Sequence, residues 1–348
     1  MLNDENFPCA PSCKSGWPWT EESESLPPLM PNDKSWPKIS IVTPSYNQGQ
    51  YIEETIRSVL LQNYPNIEYI IIDGGSTDSS VEIIKKYEQW LTYWVSEPDK
   101  GQSDAINKGI GRCTGDIFNW LCSDDYLEKD SLADIATNLE EESINVYCGV
   151  SRLLHCDDSV SYASTPICDS VEKTISIGHI CQPSTYFKFN IIKNLGYLNI
   201  TLHYCMDAEL WIKYLLTYGA KNIVDTERIL VNYRYHETSK SVSQAQLFDD
   251  DLNAIRYSVM KCFKAPECLI KYYEPSNIHS INILPDIKLV HKSINIKKLL
   301  LCYTKKSISN SLHGLKLADL VLILIYDVYL NLLGLFSGWV YRFTKRKE

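Results

Sequence analysis

Ile117-Phe118-Asn119-Trp120-Leu121-Cys122-Ser123-Asp124-Asp125-Tyr126 is an apolar run that ends abruptly in two adjacent carboxylates. A run this short and this rich in β-favouring side chains reads as a buried strand. In an open α/β sheet, ligands bind just beyond the carboxyl ends of the strands. Asp124 and Asp125 are therefore expected at a crevice rather than inside the core. Two neighbouring carboxylates repel, and burying them without a cation is costly. A hard divalent cation such as Mg²⁺ or Mn²⁺ relieves that cost and favours one or two protein carboxylates together with phosphate oxygens. Successive side chains of an extended chain point opposite ways. That predicts a division of work, with one carboxylate on metal and the other on another part of the ligand. The plainer alternative is a helix cap, in which an Asp satisfies free N–H groups.

Upstream of this stretch, strands and helices alternate. Ile39 to Pro44 is a strand ending at a proline, and Ser45-Tyr46-Asn47-Gln48-Gly49 is the loop after it. From Tyr51 to Gln62, apolar residues at Ile52, Ile56, Val59 and Leu60 follow helical spacing. Ile67 to Ile72 is nearly all apolar, as a strand covered on both faces should be. Asp73-Gly74-Gly75-Ser76-Thr77-Asp78 follows, with glycines that permit tight turns, and a helix runs from about Ser80 to Trp90. Tyr93 to Ser96 is a third strand, and Ser103 to Ile110 a helix. This order predicts an α/β fold, a mostly parallel Rossmann-like sheet flanked by helices, with right-handed crossovers that bring the strand ends to one edge. Neither Gly-x-Gly-x-x-Gly nor a P-loop is present.

Composition narrows the function. The 348 residues are 45% hydrophobic and 22% charged, an ordinary globular balance. A net charge of −9 argues against nucleic-acid binding, which needs a basic face. The twelve cysteines are scattered, and the start of the chain shows no basic segment followed by an apolar core. Free thiols in a reducing, cytoplasmic compartment are expected. Cys9 and Cys13 lack the second close pair that a structural zinc site needs.

Four motifs in one order resemble glycosyltransferase family 2, with the GT-A fold. They are Thr43-Pro44-Ser45-Tyr46-Asn47, Asp73-Gly74-Gly75-Ser76-Thr77-Asp78, the stretch from Asp99 to Gly109, and Ser123-Asp124-Asp125. The resemblance covers roughly residues 38 to 240. It implies a nucleotide-sugar donor and inverting glycosyl transfer. Thr43, Pro44 and Tyr46 would lie against the nucleotide and Asp73 against the base or ribose. Asp124 would face the ribose and Asp125 hold the metal. The family's Asp-x-Asp triplet departs here, because Cys122 occupies its first acidic position. Lys100 is a further phosphate candidate.

Past Asp125, Leu127 to Leu139 reads as a helix, and Ile144 to Val150 and Arg152 to Leu154 as strands of a mixed region. His179 and Gln182 are candidates for acceptor contact or for structural hydrogen bonds. Leu210, Trp211, Tyr214 and Leu215 form a helical apolar face. Asp207 sits in that helix's first turn, where a carboxylate is favoured by exposed N–H groups. The resemblance makes Asp207, ahead of Glu209, the catalytic base that takes the acceptor proton. It also places Arg234 and His236 in a loop over the diphosphate, Arg through its fork of donors and His on phosphate or metal.

The ends of the chain differ from its middle. Residues 1–37 are rich in proline and carry Trp17, Trp19 and Trp36. They read either as a strap along the main domain or as a disordered leader. Residues 38–240 form the catalytic domain and 241–313 an accessory helical extension. Residues 314–348 hold an apolar helix from Leu320 to Tyr341, with Asp327 its one charge and Arg342, Lys345, Arg346 and Lys347 after it. The helix is long enough to span a bilayer, yet a central Asp costs about 2.5–3.5 kcal/mol there. The basic cluster suits anionic headgroups, so contact with the inner membrane surface is expected.

Together these features point to a metal-dependent inverting glycosyltransferase using Mn²⁺ or Mg²⁺. It would move a sugar from a nucleotide-sugar to a glycan or lipid-linked acceptor in cell-surface polysaccharide synthesis. The alternatives are a sugar-nucleotidyltransferase, which would show a basic glycine-rich first loop, and a non-catalytic nucleotide-binding scaffold at the membrane.

Overall fold

The computed structural model describes residues 1–2, 4–237, 239–240, 244–275 and 290–310. The apolar segment expected over Leu320 to Tyr341 lies outside the described residues. Among the described residues, no helix is long and apolar enough to cross a membrane.

The chain divides into two compact units. The first comprises Met1–Pro166, His179–Leu210 and Lys221–Ala245. Its sheet begins with β1 (Ile39–Ser45), β2 (Ile67–Asp73), β3 (Tyr93–Ser96) and β4 (Ile117–Trp120). Helices α1 (Ile52–Leu60), α2 (Ser80–Lys86) and α3 (Gln102–Ile110) separate them. β1 pairs in parallel with β2 on one side and β4 on the other, and β3 lies outside β2. The register sets Ser45 beside Asp73 and Asp73 beside Ser96, so the loops after these strands leave from one edge. Chain order reverses between β1 and β4, and a sheet leaves a crevice at such a switch point. Gly109 lets α3 lie close on β1, since a Cβ there would come within 2.4 Å of Val42 Cγ1.

Beyond β4 the sheet becomes mixed. Its remaining strands are β5 (Tyr126–Leu127), β6 (Val146–Leu154), β7 (Val160–Ser164), β8 (Thr185–Lys188) and β9 (Ile223–Arg234). They follow the order β4-β8-β6-β9-β5, with β7 also on β6. Two expectations change here. Helix α4 (Ser131–Leu139) starts at Ser131, not Leu127, because Tyr126 and Leu127 pair with Asn232 and Val231 of β9. The two strands expected between Ile144 and Leu154 are one, interrupted only by a register shift against β9 between Cys148 and Ser151. The short helix α6 (Phe189–Leu195) and the first turn of α7 (Met206–Tyr218) complete this unit.

Residues 1–37 lie on this unit as a strap. Phe7, Met30 and Trp36 belong to the same buried cluster as Ile41, Ile56, Val59 and Tyr87. Arg57 of α1 is fully buried and donates to the carbonyls of Pro8 (2.7 Å), Pro18 (3.0 Å) and Trp19 (2.7 Å). Its guanidinium also lies 5.0 Å from the ring centroid of Phe7 and 5.4 Å from that of Trp19.

The second unit is helical among its described residues. It holds α5 (Val171–Ile177), the rest of α7, α8 (Ala245–Cys262), α9 (Glu267–Tyr272) and α10 (Ile296–Asn310). Glu172 of α5 accepts from Asn295 N at 2.8 Å and pairs with Lys298 at 3.2 Å, which fastens α10 to α5.

Candidate active site

The segment between β4 and β5 carries the paired carboxylates, and neighbouring elements hold it by its backbone. Thr55 Oγ1 of α1 donates to the carbonyls of Ser123 (2.9 Å) and Asp125 (2.6 Å). The two side chains then part. Asp124 is half-buried, and its Oδ2 lies 3.0 Å from Nε2 of His236, whose ring is 4.7 Å from that of Tyr51. Asp125 is 1% exposed. Its Oδ1 accepts from the backbone N–H of Arg234 at 3.0 Å. Its Oδ2 is buried with no hydrogen-bond partner among the described residues. Burial first, and then the charge of Asp124, push the Asp125 carboxyl well above its ordinary range, against the pull of Arg234.

An orphaned buried carboxylate oxygen is an expensive feature unless a cation completes it. The donor set around it suits one. Cys122 Sγ and carboxylate oxygens of Asp124 and Asp125 all lie within 4.8 Å of one another. The residues present therefore fit a divalent cation.

Asp207 stands in the first turn of α7. Its Oδ1 accepts from the N–H of Ala208 at 2.8 Å. Burial raises its carboxyl to about 6, opposed by these backbone N–H groups, although part of its surface remains open to solvent. Glu209, by contrast, is fully buried. The Cys122 thiol ties these acids together. Burial raises its pKa, and the charges of Asp124, Asp125 and Asp207 raise it further, while Lys240 opposes them.

The other expected residues divide into scaffold and surface. Thr43 and Pro44 are buried, and Thr43 Oγ1 lies 3.1 Å from Tyr69 OH. Tyr46 is 61% exposed beside Gly74. A Cβ on Gly74 would come within 2.6 Å of Asp99 Oδ2, so Asp99 packs against bare backbone there. Asp73 is fully buried and accepts from Ser76 N (2.8 Å), Gly75 N (3.1 Å) and Ser96 Oγ (2.7 Å), which fixes the loop. Lys100 is exposed. The Arg234 guanidinium pairs with Glu54 at 2.8 Å, donates to Asp124 O, and lies 4.5 Å from the ring centroid of Tyr126. Gln182 is buried and donates to Asn119 Oδ1 (2.7 Å) and Trp120 O (2.9 Å), so its part is structural, while His179 is exposed.

Sequence reasoning did not single out Gln102, Lys240, Tyr51, Glu54 or Thr55. Gln102 Nε2 reaches Cys122 Sγ at 3.2 Å, and Lys240 Nζ reaches Gln102 Oε1 at 3.2 Å and His203 O at 3.3 Å. Gln102 stood inside a quoted motif. Lys240 had no signal beyond its place after the last strand.

Residues 40–196 match the family described as Glycosyl transferase family 2. An uncharacterized glycosyltransferase of Rickettsia typhi is 28% identical over 230 residues, covering 61% of this chain and 70% of that protein. TuaG of Bacillus subtilis, described as a teichuronic acid biosynthesis glycosyltransferase, is 40% identical over 140 residues, covering 36% of this chain and 56% of TuaG. Among solved structures, S. aureus TarS 1–349 in complex with UDP-GlcNAc superposes with a TM-score of 0.53 at 19% identity, covering 81% of this chain and 77% of TarS 1–349. A mannosyltransferase from Pyrobaculum calidifontis in complex with GDP-Man and Mn²⁺ gives 0.50 at 16% identity, covering 87% and 83%. At such identities the structural likeness speaks for the fold, and the sequence matches speak for the family. The chain is a glycosyltransferase on the GT-A fold, and its residues 40–196 match family 2.

Proposed function

We propose that this enzyme transfers a sugar, with inversion, from a nucleotide-sugar to a glycan or lipid-linked acceptor in cell-surface polysaccharide synthesis, at the cytoplasmic face of the membrane. The observation that carries the chemistry is the cluster of Cys122, Asp124 and Asp125, whose donor atoms lie within 4.8 Å of one another around a buried Asp125 oxygen with no hydrogen-bond partner among the described residues. The donor class follows the nucleotide-sugars bound in TarS and the Pyrobaculum enzyme. The polymer follows the name of TuaG.

In this reading Tyr46 presents its exposed ring to the base, on a floor made by Gly74 and Asp99 and held by Thr43, Pro44 and Asp73. Asp124 faces the ribose. Asp125 and His236 hold Mn²⁺ or Mg²⁺, which when bound neutralises charge on the departing diphosphate. Lys100 and Arg234 face the same diphosphate, with Glu54 keeping the Arg234 fork in place. Asp207 takes the proton of the acceptor hydroxyl as its oxygen bonds to the anomeric carbon and the bond to the diphosphate oxygen breaks. Attack opposite the leaving group inverts that carbon, and Asp207 then returns its proton to solvent. The chain end beyond residue 313 supplies the membrane contact.

Release of nucleoside diphosphate from a panel of nucleotide-sugars, with Mn²⁺, Mg²⁺ or EDTA, tests this. The expected result is metal-dependent release from one donor, lost in Asp125→Ala. Silence across the panel, together with no donor-induced thermal shift, would overturn the reading in favour of a non-catalytic scaffold.

A further inference from the structure

We infer that Cys122 is a sulfur ligand of the cation site, which makes it a mixed thiolate–carboxylate centre that favours softer divalent cations over Mg²⁺. This rests on the cation site of the proposed function and goes on to its composition.

Two donors on one first-row cation, each at roughly 2.0–2.3 Å, lie at most about 4.6 Å apart. Cys122 Sγ and the Asp124 and Asp125 oxygens already lie within 4.8 Å of one another. Small side-chain movements would therefore bring Cys122 Sγ and an Asp125 oxygen onto one ion, with the Asp124 carboxylate beside them.

The cluster is also incomplete without a cation. Asp125 is 1% exposed, and its Oδ2 has no hydrogen-bond partner among the described residues. An unpartnered buried oxygen on a residue clustered with a sulfur and a second carboxylate leaves a donor set in need of a centre.

The hydrogen bond at the Cys122 sulfur runs opposite to those at two other buried thiols. Cys113 and Cys181, buried elsewhere in the sheet unit, donate their S–H to Gly109 O (3.3 Å) and Ser151 Oγ (3.2 Å). Cys122 instead accepts, from Gln102 Nε2. That orientation of the amide is enforced, because Lys240 carries only donors and occupies Gln102 Oε1. An N–H aimed at sulfur supports a thiolate, as groups around metal-bound sulfur commonly do. The step balances simply: the sulfur–metal bond forms as the thiol proton leaves to buffer.

Thiolate ligands shift preference toward softer cations, whereas oxygen-only sets suit Mg²⁺. An acid in place of Cys122 would restore the all-oxygen triplet of the family pattern. The test is Co²⁺ titration of the full-length protein, read by absorption, together with thermal shift on Cd²⁺ and Mg²⁺. Wild type is expected to show a near-ultraviolet sulfur-to-cobalt charge-transfer band that is absent in Cys122→Ser and Cys122→Asp. The ratio of Cd²⁺ to Mg²⁺ affinity is expected to fall by roughly 10–100-fold in both variants. Visible Co²⁺ bands without the charge-transfer band in wild type would overturn sulfur ligation and leave the proposed function standing. A charge-transfer band that persists in both variants would overturn it as well, by assigning the signal to other cysteines. Failure of wild type to bind Co²⁺, Cd²⁺ or Mg²⁺ would overturn the cation site itself. A missing charge-transfer band in wild type overturns sulfur ligation even where a variant does not fold, and Cys122→Ala is a third variant on which loss of a positive band can be read.

Discussion

Asp207 shows how one residue's setting sets both stability and rate. Burial raises its carboxyl to about 6, whereas the unfolded chain ionises an Asp near about 3.9. The folded state therefore prefers the protonated form. That preference contributes fully below about pH 4 and is lost as pH rises through about 6, above which ionised Asp207 weakens the fold. In EDTA, the melting temperatures of wild type and Asp207→Asn should run closest near pH 4, and the Asn variant should gain on wild type between pH 4 and 6. Catalysis should run the other way, because the base must be ionised. Turnover is expected to fall with one-proton dependence below about pH 6, and Asp207→Asn to lose about 10²–10⁴-fold with donor affinity retained. Equal pH profiles for the two proteins' turnover would remove Asp207 from the reaction. The acids themselves were legible in sequence from their positions at a strand end and a helix start. Which of the Asp124–Asp125 pair turns inward was not, since it depends on Arg234 and His236 arriving from β9.

At the scale of an element, α1 joins the strap to the site. Its apolar face of Ile52, Ile56, Val59 and Leu60 was readable from spacing and is buried. Its polar residues do the connecting. Thr55 holds the carboxylate segment, Ser58 Oγ accepts from Leu127 N, and Arg57 holds three strap carbonyls. Trp17 of the strap closes the circuit by donating to Leu127 O at 2.8 Å. Arg57→Ala leaves these buried carbonyls unsatisfied, at about 1–3 kcal/mol each. The melting temperature should fall by on the order of 10 °C, and proteolysis should first cut within residues 1–37. Arg57→Lys keeps the charge but not the fork, and it should recover only part of the loss. A variant as stable as wild type would show the strap to be dispensable. Two readings of residues 1–37 were open from composition. Long-range hydrogen bonds decide for the strap, and no local pattern contains them.

For the whole molecule, the open question is the chain beyond residue 313. Its apolar stretch and basic end predict association with anionic surfaces. Wild type should co-sediment with vesicles containing anionic lipid and be released by high salt, whereas a variant lacking residues 314–348 should stay in the supernatant at every salt concentration. Equal sedimentation of both would place membrane contact elsewhere or nowhere. Donor hydrolysis should survive the deletion, because every residue proposed for the chemistry lies before residue 241.

Alternating strand and helix periods, glycine-bearing loops and acids at strand ends are local patterns. Sequence alone therefore determined the parallel sheet, the edge that carries the site and the acids expected there. The strap, the inward turn of Asp125 and the Lys240–Gln102–Cys122 chain were decided only by tertiary structure. Their partners stand far apart in sequence, 110 residues between Trp17 and Leu127 and 138 between Gln102 and Lys240. Such contacts follow from how the sheet brings distant loops to one edge, and no window of neighbouring residues encodes them.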